Sequence, residues 1–307
     1  MTKMIHIHNI LFPTDFSDTS SAALGYALML ADRFQARLVM LHAAGPNESP
    51  QRLRFPEINP AADELEEILE DQLSQIIGAE PTHKLRIDRV VHQNNDPVQE
   101  ICGYVETNDI DLIIMGTHGR SGLSHLFAGS VAEEVVRGAG CPVMTVRACK
   151  QSAEVTPYFD ILVPVDFSLY SQKALRYGLT LAHLFEANLH LLHVLDQPIH
   201  PVHYGIGEDL LMRLNPEVPK SSHEELQRLV ARSSAVEVKC QTHVREGRAY
   251  SEIVRFVTEQ ECDLVVMGTH GMSGLEHFLL GGTTEKVMRH ASCPVLAVKL
   301  KERDFVG

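Results

Sequence analysis

This sequence predicts two tandem copies of one α/β domain, each an open parallel sheet with helices on both faces, and three observations carry that prediction. The chain repeats itself nearly end to end, each copy alternates short apolar runs with stretches of helical periodicity, and the middle runs are apolar throughout, as strands covered on both faces must be. ILFPTDFSDTSSAALGYALMLADRFQARLVMLHA at 10–43 returns 151 positions on as ILVPVDFSLYSQKALRYGLTLAHLFEANLHLLHV, and DLIIMGTHGRSGLSHLFAGSVAEEVVRGAGCPVMTV at 111–146 returns 152 positions on as DLVVMGTHGMSGLEHFLLGGTTEKVMRHASCPVLAV. A solenoid has a period several times shorter, so a whole domain is duplicated. The copies are placed at 1–148 and 158–302, with a polar, non-periodic linker at 149–157 that ends in Pro157.

Within the first copy the elements follow in order. Ile10–Pro13 is a short apolar strand, and Phe16-Ser17-Asp18 opens a helix whose Leu24, Ala27, Leu28 and Ala31 recur at helical spacing. Leu38–His42 is the second strand. Asp63–Ile77 places Leu65, Ile68, Leu69, Leu73 and Ile76 on one stripe of an acidic amphipathic helix. Leu85–Val91 is strand three, after which Asp96 caps a helix with Pro97 at its first position. Asn95, where the second copy has Gly247, marks a turn that tolerates left-handed backbone. Asp111–Met115 is the fourth strand, a helix covers about Ser130–Ala139, and Val143–Val146 is the fifth strand.

Composition narrows the function classes. A hydrophobic fraction of 44% and a charged fraction of 22% over 307 residues are those of an ordinary globular protein large enough for two cores. MTKMIHIHNILFPTDF reads as no signal peptide, and no run of 18 apolar residues reads as a membrane span. The six cysteines (Cys102, Cys141, Cys149, Cys240, Cys262, Cys293) form no CxxC pair, so a cytoplasmic chain of core and strand-end thiols is expected, without disulfides. A net charge of −13 sets nucleic acid and anionic membranes aside as partners.

The chemistry-bearing motif is Gly116-Thr117-His118-Gly119, then nine residues, then Gly129-Ser130, directly after an apolar strand and running into a helix. Glycines there let the backbone turn and bring its N–H groups close to an anion, and a helix N-terminus favours phosphate. Ser130 adds a hydroxyl. No Gly-Lys-Ser/Thr follows, so this is no Walker A loop, and the glycines stand after strand four rather than after strand one. Asp15 ends strand one. If strands one and four flank the point where strand order reverses, Asp15 shares a crevice with the loop. There it bonds an adenine or ribose edge or helps hold a metal near phosphates; otherwise it is a helix N-terminal acid that complements the dipole. His118 and His270 have no nucleophile fixed beside them and read as capping the turn or packing on a ligand. His190 and His193, with His200 and His203, raise a metal site, but 190 and 193 are an odd number apart on a strand and face opposite sides, so no metal site is assigned.

The G-2x-G-9x-G-S/T spacing after strand four, the Asp after strand one and the closing Cys-Pro-Val strand resemble the universal stress protein family over both halves of the chain. The resemblance implies an adenine nucleotide alpha hydrolase-like fold with five strands in order 3-2-1-4-5, and one branch of the family binds ATP through this loop. Carried over by motif, the first site comprises Asp15, Ala43, Met115, Gly116, His118, Gly119, Gly129 and Ser130, with Arg120 placed to reach a phosphate. The second comprises Asp166, Val194, Met267, Gly268, Gly271 and Gly281, but Gly282 replaces the hydroxyl residue and Met272 the basic one, with Thr283 able to supply a hydroxyl one position late. The first site is therefore expected to bind ATP, accompanied by Mg²⁺, more tightly than the second.

The reading that results is an ATP-binding stress-response regulator without fast catalysis, acting on protein partners. The rivals are a slow ATPase or self-phosphorylating protein, for which Asp15, Ser121 and Ser130 are the candidate groups without an evident activating partner, and a nucleotide-independent scaffold. The resemblance also implies pairing of the two copies about a pseudo-two-fold axis through Val143–Val146 and Val295–Val298, and a homodimer of such chains.

Overall fold

The computed structural model describes residues 6–44, 85–93, 96–117, 130–147, 158–195, 217–233, 237–271 and 280–306. The helix expected at Asp63–Ile77, the loop positions His118, Gly119, Arg120 and Gly129, and His200, His203 and Cys149 lie outside them. The chain forms two units: His6–Val155 with Lys301–Phe305, and Thr156–Leu300 with Val306.

In the first unit β1 (Asn9–Pro13), β2 (Arg37–Ala44), β3 (Ile87–Gln93), β4 (Leu112–Gly116) and β5 (Val143–Val146) form a parallel sheet in order β3-β2-β1-β4-β5. Helices α1 (Asp18–Phe34), α2 (Pro97–Thr107) and α3 (Ser130–Gly138) make the connections. Strand three sits two residues later than its apolar run because its extent follows pairing with β2, from Leu38↔Ile87 to Ala44↔Gln93. Ile10, Leu11, Leu38, Val39, Ile113 and Ile114 are wholly buried, each contributing about 1.5–3 kcal/mol of apolar burial.

The second unit repeats this plan. Strands β6 (Asp160–Pro164), β7 (Asn188–Leu195), β8 (Cys240–Glu246), β9 (Leu264–Gly268) and β10 (Val295–Val298) run in order β8-β7-β6-β9-β10, all parallel. Helices α4 (Leu169–Phe185), α5 (Glu217–Ser233), α6 (Ala249–Glu259) and α7 (Gly282–His290) connect them.

Local chemistry explains the boundaries. Ser17 and Ser168 cap α1 and α4 by accepting from the amides of Ser20 and Ser171, and both helices end on a left-handed residue, Gln35 and Glu186. Asp96 caps α2 through the amides of Val98 and Gln99, ahead of Pro97, as its sequence predicts. Gly247 has the positive φ, 143°, anticipated for its turn. Asp111 stands just before β4 rather than in it, and its carboxylate accepts from the amides of His8 at 2.7 Å and Asn9 at 3.0 Å. Asp263 does the same for Phe159 and Asp160. Among the described residues no cysteine is in a disulfide, and no helix is long and apolar enough to cross a membrane.

Candidate functional site

Both sheets reverse strand order between neighbouring strands, β1 beside β4 and β6 beside β9, so the crevice at their carboxyl ends is where a ligand fits in a fold of this kind. In the second unit it is a cavity of about 370 Å³, within the usual range for small-molecule sites. Its walls come from the ends of β6, β7 and β9, from α6 and from the start of α7. Asp166, Val194, Met267, Gly268, Gly271, Gly281 and Thr283 all line it, so the structure brings together every position carried over from the motif in this copy. In the first unit Asp15, Ala43, Met115 and Gly116 lie at the carboxyl ends of β1, β2 and β4, and Ser130 is the first residue of α3.

The glycines divide into different roles. A Cβ on Gly268 would stand 2.7 Å from Cβ and 3.0 Å from the carbonyl carbon of Tyr170, and one on Gly116 would stand 3.0 Å from the backbone of Thr19. These two glycines admit the first turn of α4 and of α1 against the strand end, a packing role the motif alone does not reveal. Gly271 instead faces the carboxylate: its Cβ would sit 2.5 Å from Oδ2 of Asp166. Asp166 is oriented by Ser168, whose amide (3.0 Å) and hydroxyl (2.6 Å) both donate to Oδ1. Asp15 accepts from the amide of Ser17 at 3.1 Å in the same way.

Gly281 precedes α7 without a side-chain cap, and the first residues of α7, Gly282–Thr284, line the cavity. Thr284 does not face a ligand with its hydroxyl, which donates to the carbonyl of Gly268 at 2.8 Å. Thr283 lines the cavity beside it. Val165, Val194, Ile253 and Met267 give the cavity apolar lining beside these polar groups. His270 shares a hydrogen bond between Nδ1 and the Thr269 hydroxyl (2.9 Å) and packs 5.1 Å from the Tyr170 ring while lining the cavity.

One pair of site residues escaped the sequence reading. Phe16 and Phe167 follow the two aspartates with left-handed backbones, φ 62° and 64°, a strained state for a bulky residue. Their rings lie 4.8 Å from His42 and 4.7 Å from His193. Each histidine donates from Nδ1 to the carbonyl at the end of strand one, Thr14 at 2.8 Å and Val165 at 2.7 Å. The signal was present, since Asp-Phe-Ser and a strand-two histidine stand at matching positions in both copies.

His190 and His193 do face apart. His193 lines the cavity, whereas His190 joins Asp160 (Nε2 to Oδ1, 2.9 Å) and His243 (Nδ1 to Nε2, 3.2 Å). Burial, and then the neighbouring His190, Arg245 and His223, push the pKa of His243 down to about 4. Burial and the carboxylates of Asp160 and Asp263 push the Cys262 thiol up to about 12, so it is an inert core residue. Among the described residues no group of three His, Cys, Asp or Glu side chains gathers as metal ligands.

Comparison with known proteins places this geometry in context. The sequence profile of the universal stress protein family matches residues 6–147 and again 157–299. A universal stress protein of Methanocaldococcus jannaschii is 34% identical over 148 residues, covering 48% of this chain and 85% of its own. One from Synechocystis is 24% identical over 326 aligned positions, covering 95% of this chain and 99% of its own. In the crystal structure of a universal stress protein from Archaeoglobus fulgidus the same fold recurs over 96% of this chain and 97% of that one, with a TM-score of 0.61 at 22% identity.

Proposed function

The chain belongs to the universal stress protein family, whose members are stress-response proteins, and on that footing we propose that it is a cytoplasmic regulator whose ligand is an adenine nucleotide, ATP with Mg²⁺. The observation that carries this reading is the second-unit cavity, where seven residues matched by motif line one space together with the start of α7 and apolar side chains.

The residues present fit such a ligand. Val165, Val194, Ile253 and Met267 offer the apolar surface a purine ring needs, and Asp166 offers an acceptor for an amino or hydroxyl hydrogen. The amides at the start of α7 and the backbone of Gly271 offer donors to phosphate oxygens. Among the described residues Asp166 is the one carboxylate of the cavity lining, so Mg²⁺ would arrive held chiefly by the phosphates themselves.

Occupancy of the two sites is the signal that protein partners read, and the chain works as a homodimer. Isothermal titration of nucleotide-stripped protein with ATP and Mg²⁺, with GTP as control, tests the reading. Micromolar ATP binding that Gly129→Trp and Gly281→Trp each reduce supports it. No heat and no co-purified nucleotide would replace it with the scaffold reading. Light scattering on the eluting protein decides between monomer and dimer.

A further inference from the structure

Residues Lys301–Phe305 follow the second repeat, yet they pack as part of the first unit. The amide of Arg303 donates to the carbonyl of Gly140 at 2.7 Å, and the carbonyl of Phe305 accepts from the amide of His6 at 3.0 Å. The Arg303 guanidinium donates to Oδ1 of Asp109 and lies 3.8 Å from Oδ1 of Asp111. The Phe305 side chain is 2% exposed. Two backbone hydrogen bonds, a charge pair and one buried ring are the components of peptide recognition.

From these contacts we propose that Lys301–Phe305 is an intramolecular peptide ligand of the first unit, a strap whose docking is an equilibrium separate from the folding of either repeat. The segment has no helix or strand of its own, and its neighbour Leu300 belongs to the other unit. Val306, which follows it, is buried, forms a bridge and belongs to that other unit as well, so the contacts of 301–305 themselves are what place the segment on the first unit. The contacts rank unequally. Asp109 is 80% exposed, so its pair with Arg303 sets register and adds little affinity, whereas the buried ring of Phe305 is the anchor.

The docking surface lies at the amino ends of β1 and β4, opposite the strand ends that carry the candidate nucleotide site. It includes Asp111, whose carboxylate already holds the amides of His8 and Asn9. Undocking leaves Asp109 and Asp111 without their common cation and removes the acceptor of the His6 amide. In the second unit Glu261 takes the place of Asp109, with a similar left-handed backbone (φ 49° against 53°). The acidic half of the surface is thus retained in both copies, and the strap serves the first. A tethered segment experiences an effective concentration on the order of millimolar, so a trans affinity of roughly 100 µM keeps it docked most of the time while leaving it displaceable.

The test compares amide hydrogen exchange in the full chain, in a variant lacking residues 301–307, and in that variant with the peptide Lys-Glu-Arg-Asp-Phe-Val-Gly added. Exchange at the amides of His6, His8 and Asn9 is expected to rise at least tenfold on deletion and to return with peptide. The peptide carrying Phe305→Ala should fail to restore it. Phe305→Ala in the full chain should reproduce the rise, which keeps the test decisive if the deletion does not fold. Unchanged exchange in both variants, or equal rescue by the two peptides, would overturn the proposal.

Discussion

The Nδ1 of His193 donates to the carbonyl of Val165 at 2.7 Å, which fixes the tautomer of a histidine that lines the cavity. A carbonyl only accepts, so Nδ1 carries the proton and Nε2 of the neutral ring is an acceptor. His193→Ala leaves that carbonyl without its donor and removes the ring that rests on Phe167. Urea melts should show a loss of about 1–3 kcal/mol, and His193→Asn, which keeps an amide donor, should lose less. Equal losses would mean the hydrogen bond is dispensable.

Gly268→Ala and Gly271→Ala should separate stability from binding. A methyl on Gly268 meets the α4 backbone at Tyr170, which cannot move alone, so about 1–3 kcal/mol of stability is expected to go. A methyl on Gly271 meets only the Asp166 carboxylate, which can swing away from Ser168. Its expected effect is roughly tenfold weaker nucleotide binding by the second unit, equivalent to about 1.4 kcal/mol, with the melting temperature nearly unchanged. Reversal of this pattern, read by titration and calorimetry, would refute the assignment.

The two sites should differ in affinity. The second copy has Met272 where the first has Arg120 and Gly282 where the first has Ser130, and the structure adds that the Thr284 hydroxyl is directed to Gly268. A deficit of about 1–3 kcal/mol corresponds to roughly 10–100-fold in Kd. Titrating ATP into Gly129→Trp and Gly281→Trp variants should leave the weaker site in the first and the tighter in the second.

Acid should weaken the second unit through His243. Its folded pKa, pushed down to about 4, lies below the ordinary value of 6.5. Above pH 6.5 the ring is neutral in both the folded and the unfolded chain and contributes nothing to pH dependence. Between 6.5 and about 4 the unfolded chain takes up a proton that the folded site refuses, so stability falls with pH and levels off near 4. The slope is below about 1.4 kcal/mol per pH unit, the limit for one proton, because the half-buried ring is partly screened by solvent. Urea melts at pH 7.5 and pH 5 should show wild type losing more stability than His243→Gln; identical losses would place the effect elsewhere.

Much of this was legible in the sequence for a physical reason. Apolar strands and capped helices are local patterns, and duplication printed most of them twice, so element order could be read directly, whereas the place of strand one beside strand four followed from the family resemblance. Three features were not legible. The packing role of Gly116 and Gly268 depends on a helix that arrives from another part of the chain. The left-handed Phe16 and Phe167 run against residue preference, and only their matching positions in the two copies point to them. Arg303 and Phe305 lie beyond the repeat, so no internal comparison could assign them to the first unit.

The place of β1 at the middle of its sheet has a consequence for biosynthesis. Its partner β2 follows within about thirty residues, but Leu112, which pairs with Ile10, lies about a hundred residues beyond it, and Leu264 lies at a similar distance from Ile161. At about 5–20 residues per second a ribosome needs roughly 5–20 s to supply the missing strand. For that interval each nascent domain presents one open, largely apolar strand edge, so the exposure occurs twice in the making of a single molecule. The aspartate just ahead of β4 and of β9 contributes to closing that edge in the folded chain, since its carboxylate accepts from the amides of His8 and Asn9 in the first unit and of Phe159 and Asp160 in the second.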